Sequence, residues 1–159
     1  MSEPSQRVVI RAAHPDDMPQ VIALIRALAE FEKLAGPDEA AAARLTADLE
    51  RGRYRMLVAE QSGALIAYAM HFLTYSSFRA LPSLYLEDLF VLPSHRGRGT
   101  GEALLRKLAA VARDEGCGRF EWTVLDWNVG AQRFYQRLGA RVLEQWRICR
   151  VDDEALGRL

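Results

Sequence analysis

The chain contains few cysteines and has no formal net charge. Only two cysteines, Cys117 and Cys149, occur in 159 residues, and they have neither metal-ligand spacing nor histidines nearby. This pattern argues against a metal site and favours two free thiols in a reducing compartment. The 21 acidic and 21 basic residues balance to a formal net charge of zero, which argues against a dedicated nucleic-acid binder. We therefore expect no metal and no nucleic-acid partner, including through the RGRG stretch.

Long hydrophobic runs are also absent. A membrane-spanning helix needs about 20 consecutive apolar residues, and the apolar runs of this chain are far shorter. The opening stretch MSEPSQRVVIRAA contains no apolar region of the kind found in a secretory signal peptide. These absences predict a cytoplasmic protein with no membrane partner. Half of the residues are hydrophobic, which is enough for a core at this length.

The apolar periodicity predicts one domain over residues 1–159 with the element order β-α-α-β-β-β-α-β-α-β. A short β-branched run, Arg7–Ala13, is the first predicted strand, and Gln61-Ser62-Gly63 is a predicted hairpin turn. The tail ARVLEQWRICRV, Ala140–Val151, predicts one or two final strands. Such an order indicates the α/β (α+β) class, with a mixed sheet and helices on both faces.

Glycine is an unfavourable helix residue, yet it occurs three times in HRGRGTGEALL, just before a helical pattern. One interpretation is a tight loop with exposed arginines. A dinucleotide-binding turn needs the spacing G-x-G-x-x-G, which Gly97, Gly99 and Gly101 do not have. The third interpretation is a pyrophosphate cradle of the form R-x-x-G-x-G that begins at Arg96. The unpaired N–H groups at a helix start can bind phosphate when no side chain blocks them.

The strand just before this loop, YLEDLFVLP, contains two adjacent carboxylates, Glu87 and Asp88. Successive strand side chains point to opposite faces, so the two carboxylates are expected on different faces. The expected face-mates are Tyr85, Leu89 and Val91 for Glu87, and Leu84, Leu86 and Phe90 for Asp88. Burial of an unpaired carboxylate is costly, so this placement suggests a functional site. An ordinary salt bridge or an exposed edge is the alternative.

Two longer stretches, LEDLFVLPSHRGRGTGEALL and VLDWNVGAQRFYQRLGA, resemble the GNAT superfamily of acetyl-CoA-dependent N-acetyltransferases. The resemblance covers nearly the whole chain, including the element order. RALAEFEKL, TYSSF, YLEDLFV and VLDWN are similar to the diamine acetyltransferase branch, and most to its thialysine N-epsilon-acetyltransferase relatives. The resemblance implies a mixed, mostly antiparallel central sheet, acetyl-CoA as the cofactor, a small-molecule amine as the acceptor and a homodimer.

The resemblance also implies where acetyl-CoA binds. The glycine loop would hold the pyrophosphate through backbone N–H groups, and the strand before it would pair with the pantetheine arm, as in strand addition. Asn128 resembles the asparagine that hydrogen-bonds the cofactor arm, although a helix cap is an alternative role that can coexist with it. The implied cofactor-binding residues are Leu89, Phe90, Val91, Arg96, Gly97, Arg98, Gly99, Thr100, Gly101, Glu102, Asn128, Ala131 and Tyr135.

Two residues are implied as catalytic. A primary amine with a pKa near about 10 is protonated at neutral pH and cannot attack a thioester, so Glu87 is expected to take up its proton, directly or through a water. Tyr135 resembles the general acid of the family, although its spacing alone would make it one more aromatic residue on a helix face. The expected substrate-binding residues are Glu32, Ser76, Glu87 and Asp88.

The acceptor is expected to be an amino acid similar to thialysine or lysine, or a diamine. Polyamine-acetylating relatives have Asp-Pro-Trp where this chain has Ser76, Ser77 and Phe78, and the lost carboxylate makes polyamines a weaker candidate. The alternatives are an acetyltransferase that acts on polyamines or a peptide amine, and a non-catalytic acyl-CoA-binding regulatory domain.

Overall fold

The computed structural model describes residues 7–159. The expectation that no signal peptide opens the chain depends partly on residues 1–6, which lie outside the described residues. Contacts divide the chain into two compact units, one that ends at Trp122 and one that comprises Thr123–Leu159. The single domain over residues 1–159 stays a prediction, and the two units are described separately below.

The first unit is built on a five-stranded sheet. Its strands are β1 (Val9–Ala12), β2 (Arg55–Gln61), β3 (Ala64–Ser76), β4 (Leu81–Val91) and β5 (Arg119–Glu121). Their spatial order is their chain order. The strands from β1 to β4 pair with one another in antiparallel orientation, and β5 is parallel to β4. The predicted mixed, mostly antiparallel sheet is confirmed.

Helices cover both faces of this sheet. The helices of the first unit are α1 (Met18–Phe31), α2 (Glu39–Glu50) and α3 (Thr100–Asp114). On one face, Met56 and Val58 of β2 pack in a core cluster with residues of α1, and α2 packs against the same cluster. Side chains alternate along a strand, so Leu57 and Ala59 point to the other face. There α3 contacts β2, β3 and β4 and buries its leucines.

Two hairpins connect the central strands. Ser62 and Gly63, with φ of 55° and 78°, form the turn between β2 and β3. Positive φ at both central residues is typical of a tight hairpin turn, and this turn was predicted. The hairpin between β3 and β4 has a short connection, residues 77–80, because Ser76 already pairs with Leu81.

The second unit contains the helices α4 (Val129–Arg137) and α5 (Asp153–Leu156). The prediction of one or two final strands over Ala140–Val151 is wrong, since residues 140–151 contain no strand. The segment has the apolar pattern of a strand, but its apolar side chains are not buried, since Trp146 and Ile148 are 75% and 68% exposed. A strand also needs a neighbour for its backbone N–H and C=O groups, and this segment pairs with none within the described residues.

Within residues 7–159, no helix combines the length and the apolar character that crossing a membrane requires.

Candidate active site

The register between β3 and β4 shifts by one residue at Glu87. Asp88 lies opposite Met70, but the next residue of β3, His71, lies opposite Leu86. Glu87 is therefore the extra residue of a β-bulge. A bulge bends the strand and redirects its side chains, and bulges are over-represented beside active sites.

This bulge changes which side chains share a face of β4. The register puts Asp88 on the face of Tyr85 and Phe90, which is the face that α1 covers. Leu84 and Leu86 lie on the opposite face, so the expectation that they share a face with Asp88 is wrong. That expectation assumed uninterrupted alternation, and one inserted residue exchanges the faces of everything beyond it.

Asp88 is a half-buried carboxylate. The hydroxyl of Tyr68 on β3 donates a hydrogen bond to Oδ2 of Asp88 at 3.1 Å. Burial, together with the negative charges of Glu87 and Glu32, raises the pKa of Asp88 to about 6, while the Tyr68 hydrogen bond opposes this rise. Three of the four predicted substrate-binding residues, Glu32, Glu87 and Asp88, thus lie close enough for their charges to interact.

The charge of this group of three carboxylates is uncompensated. Within residues 7–159, no Lys, Arg or His forms an ion pair with Glu32, Glu87 or Asp88. Glu32 follows α1 directly as its C-terminal cap, and the side chain of Glu87 is exposed. A half-buried and an exposed carboxylate therefore stand next to each other on one bulged strand.

Ser76, the fourth predicted substrate-binding residue, lies apart from this group. It is six positions from Met70 along β3, which corresponds to about 20 Å of strand, and Met70 is the residue opposite Asp88. Its hydroxyl is buried and accepts a hydrogen bond from the backbone N–H of Arg79 at 3.3 Å. The structure gives Ser76 a local role in the hairpin turn and does not place it beside the carboxylates.

The outer edge of β4 is open beside the bulge. The short strand β5 pairs only with residues 83–85, and beyond them the edge has no strand partner within the described residues. The N–H of Leu92 bonds to Ile66, and backbone direction alternates along an antiparallel strand. The N–H and C=O groups of Leu89 and Val91 therefore point away from β3. Such an edge can pair with an extended ligand.

Arg96 connects this edge to the loop that follows. Its Nε donates to the carbonyl oxygen of Val91 at 2.9 Å, and its guanidinium lies over the rings of Phe31 and Phe90, 5.4 and 5.5 Å from their centroids. The side chain thus holds the loop against α1 and the end of β4. Its predicted contact with the pyrophosphate stays a prediction.

The glycine loop leads directly into α3, and no side chain caps the first N–H groups of this helix. Gly97 and Gly99 have φ of 72° and 84°, a region that favours glycine. The first hydrogen bond of α3 runs from the N–H of Ala103 to the carbonyl of Gly99, so the N–H groups of residues 100–102 have no helical partner. A Cβ added at Gly97 or Gly99 would meet no atom within 4 Å. This open helix start suits a phosphate group.

The other three predicted site residues belong to the second unit. The side chain of Asn128 caps α4 by accepting the N–H of Ala131 at 3.2 Å, so the alternative role predicted for it is present. Tyr135 is half-buried on α4, and its ring centroid lies 5.4 Å from that of Phe134. The predicted cofactor roles of Asn128, Ala131 and Tyr135, and the catalytic role of Tyr135, stay predictions.

Tyr68 is not among the site residues predicted from the sequence. The signal that could have found it is a tyrosine in the apolar strand ALIAYAM, because a buried tyrosine hydroxyl usually finds a hydrogen-bond partner. Which group that partner is depends on the register of β3 against β4 and on the bulge, and neither is visible in the sequence.

Comparison with known proteins identifies the family. The profile described as the acetyltransferase (GNAT) family matches residues 21–140. The thialysine N-epsilon-acetyltransferase of Bos taurus is 37% identical over 165 aligned positions, which cover 96% of each chain. The chain belongs to the GNAT family. It is an N-acetyltransferase, and the predicted resemblance is confirmed.

A further relative and a solved structure are similar to this N-acetyltransferase. The L-ornithine N5-acetyltransferase NATA1 of Arabidopsis thaliana is 43% identical over 89 residues, 56% of this chain and 39% of that protein. The solved structure of the aminoglycoside N-acetyltransferase AAC(6')-Iy in complex with CoA is 22% identical, with a TM-score of 0.77 over 97% of this chain and 99% of that one. The fold predicted from the sequence is therefore that of a known acetyltransferase.

Proposed function

We propose that this N-acetyltransferase transfers the acetyl group of acetyl-CoA to the side-chain amine of a small cationic acceptor. The acceptor is an amino acid of the thialysine, lysine or ornithine type, or a short diamine. The observation that carries this proposal is the uncompensated charge of Glu32, Glu87 and Asp88 beside the open edge of β4. A protonated amine supplies the missing positive charge, and the thialysine and ornithine named in two relatives have such an amine.

Acetyl-CoA fits the residues that are present. The open helix start and the absence of any atom near a Cβ at Gly97 or Gly99 leave room for a pyrophosphate, which the N–H groups of residues 100–102 would bind. The outward C=O of Leu89 and the outward N–H of Val91 would pair with the pantetheine arm. The bound CoA named in the AAC(6')-Iy structure supports this choice. When bound, acetyl-CoA supplies an acetyl group activated as a thioester.

The residues of the chain would act on protons and charge. The carboxylate of Glu87 would take the proton of the bound ammonium, directly or through a water, because only the neutral amine is a nucleophile. The amine nitrogen would then form the new N–C bond, and the C–S bond would break. The backbone N–H of Leu89 would stabilise the negative charge that develops on the carbonyl oxygen. The hydroxyl of Tyr135 would give its proton to the leaving sulfur, and the second proton that the nitrogen loses as the amide forms would restore this hydroxyl.

Other parts of the proposal rest on the composition of the sequence or, for the homodimer, on the resemblance. A homodimer, a cytoplasmic location and the absence of a nucleic-acid partner stay predictions. The competing function is acetylation of polyamines or a peptide amine.

A panel of amines tests the proposal. Purified protein is given acetyl-CoA with thialysine, lysine, ornithine, spermidine, a short diamine or norleucine, which lacks a side-chain amine, and thiol release is followed. We expect the highest kcat/KM with thialysine or ornithine, and no release above background with norleucine. A preference for spermidine would favour the polyamine alternative. Acetyl-CoA binding without turnover of any amine in the panel would contradict the proposed acceptor class.

A further inference from the structure

Tyr68 is a buried tyrosine whose hydroxyl points at the proposed site. It lies on β3 opposite Phe90, on the face that α1 covers, and it is fully buried. Its hydroxyl donates to Oδ2 of Asp88 at 3.1 Å. Because the surrounding core holds the ring, the hydroxyl is a fixed point from which the direction of the Asp88 carboxylate is set.

The hydrogen bond uses only one side of the carboxylate. Tyr68 is the only donor to Asp88 within residues 7–159, so Oδ1 is not occupied by a described protein donor. The titratable groups that face Asp88 are Tyr68 from β3, Glu87 from β4 and Glu32 from the end of α1. All of these groups are acidic, and Tyr68 alone stabilises the ionised form of Asp88.

Tyr68 itself remains a donor over the accessible pH range. Burial first, and then the charge of Asp88, raise the pKa of the Tyr68 hydroxyl well above its ordinary value. The hydroxyl therefore keeps its proton, and it can donate a hydrogen bond to the carboxylate but cannot be a base.

We propose that Tyr68 is a positioning residue of the acetyl transfer, whose hydroxyl holds the carboxylate of Asp88 ionised and aimed at the ammonium group of the acceptor. This inference rests on the proposed function. It separates two tasks that the neighbouring carboxylates perform. Asp88, fixed by Tyr68, receives and orients the cation, and the exposed Glu87 takes its proton.

The effect of removing the hydroxyl has a definite sign. A hydrogen bond to the charged form of a carboxyl favours that form, and the bond from Tyr68 lowers the pKa of Asp88. In Tyr68→Phe, burial and the charges of Glu87 and Glu32 act unopposed. The pKa of Asp88 then rises further, and less of the carboxylate is ionised at neutral pH.

The chain offers a matched control in Tyr54. Tyr54 belongs to the same core cluster as Tyr68 and is also buried, but its hydroxyl donates to the backbone carbonyl of Leu45 at 2.6 Å. Tyr54→Phe therefore removes a buried hydroxyl and its hydrogen bond from the same core without touching Asp88. Both variants are expected to lose some stability, and only Tyr68→Phe is expected to change the pH dependence of the reaction.

The test combines kinetics with a measurement that needs no substrate. The pH dependence of kcat/KM for thialysine is recorded for the wild type and both variants. The side-chain carboxyl carbon of Asp88, assigned by comparison with Asp88→Asn, is titrated by NMR in the free protein. In Tyr68→Phe we expect the acid limb and the NMR titration to move upward together by about half to one pH unit. In Tyr54→Phe both should stay in place.

The outcomes separate the inference from the function on which it rests. An Asp88 titration that does not move in Tyr68→Phe overturns the inference, whatever the activity. A loss of kcat/KM in Tyr68→Phe that is equal at every pH, as a purely structural defect would give, also overturns it. A shifted Asp88 titration in a protein that acetylates no amine would instead overturn the proposed function.

Discussion

Asp88 is a carboxylate that the folded protein holds where its charge is unfavourable. It is half-buried beside Glu87 and Glu32, and one hydrogen bond from Tyr68 only partly compensates for this. The pKa of a carboxyl rises when folding disfavours its ionised form. The charge of Asp88 is therefore unfavourable in the free protein, and a bound cation would compensate it. The sequence showed that Glu87 and Asp88 are adjacent, but it could not show which one is buried.

Neutralising this residue should stabilise the protein. The pKa of Asp88 is about 6 in the folded chain against 3.8 for an ordinary aspartate, so the unfolded chain binds fewer protons and stability falls as pH rises between these values. The loss is at most ~3 kcal/mol at neutral pH. We expect Asp88→Asn, which can still accept the Tyr68 hydrogen bond, to raise the free energy of unfolding by about 1–3 kcal/mol at pH 7.5.

Urea unfolding at two pH values checks this expectation. At pH 3.5 the wild-type carboxyl is protonated in the folded state and mostly protonated in the unfolded state, so the two proteins should then differ by less than about 0.5 kcal/mol. A variant that is less stable than the wild type at pH 7.5 would mean that the carboxylate is compensated in the free protein.

At the scale of elements, the bulged strand β4 and the start of α3 form the site. The glycine loop could be predicted from the sequence because its residue types have a direct physical meaning: Gly97 and Gly99 adopt the positive φ that glycine favours. The bulge at Glu87 could not be predicted, because a regular strand and a bulged one have the same residue pattern until the register with β3 is known. For this reason, the prediction that Leu84 and Leu86 share a face with Asp88 was wrong.

The glycine loop gives a prediction with a matched pair of variants. Gly99 and Gly63 both have positive φ, and at each an added Cβ would meet no atom within 4 Å. Gly63 lies in the turn between β2 and β3. Gly99→Ala and Gly63→Ala should each lower the free energy of unfolding by about 1–2 kcal/mol, because alanine is strained at positive φ.

Only Gly99→Ala should affect the binding of acetyl-CoA. We expect Gly99→Ala to weaken acetyl-CoA binding about tenfold or more, since its methyl group occupies space that the pyrophosphate needs at the helix start. Gly63→Ala should bind like the wild type. Titration calorimetry measures both affinities, and equal affinities for the two variants would refute the cradle.

At the scale of the whole molecule, the order of elements up to α4 could be predicted, and the end of the chain could not. Hydrophobic periodicity shows that a segment has an apolar face, and in β2, β3 and β4 that face meets α1 or α3. The same kind of pattern at Ala140–Val151 has no strand to pair with in the described chain. Periodicity reports what a segment could bury, whereas pairing depends on a neighbour.

The central claim is that a carboxylate site on β4, with a pKa of about 6 at Asp88, receives a protonated amine for acetylation. The most direct test is kcat/KM for acetyl transfer to thialysine between pH 5 and pH 9. The claim predicts that kcat/KM increases steeply with pH up to about pH 6, as Asp88 becomes ionised. Above about pH 7, kcat/KM should depend less on this ionisation. Absence of transfer at every pH, or no inflection near pH 6, would contradict it.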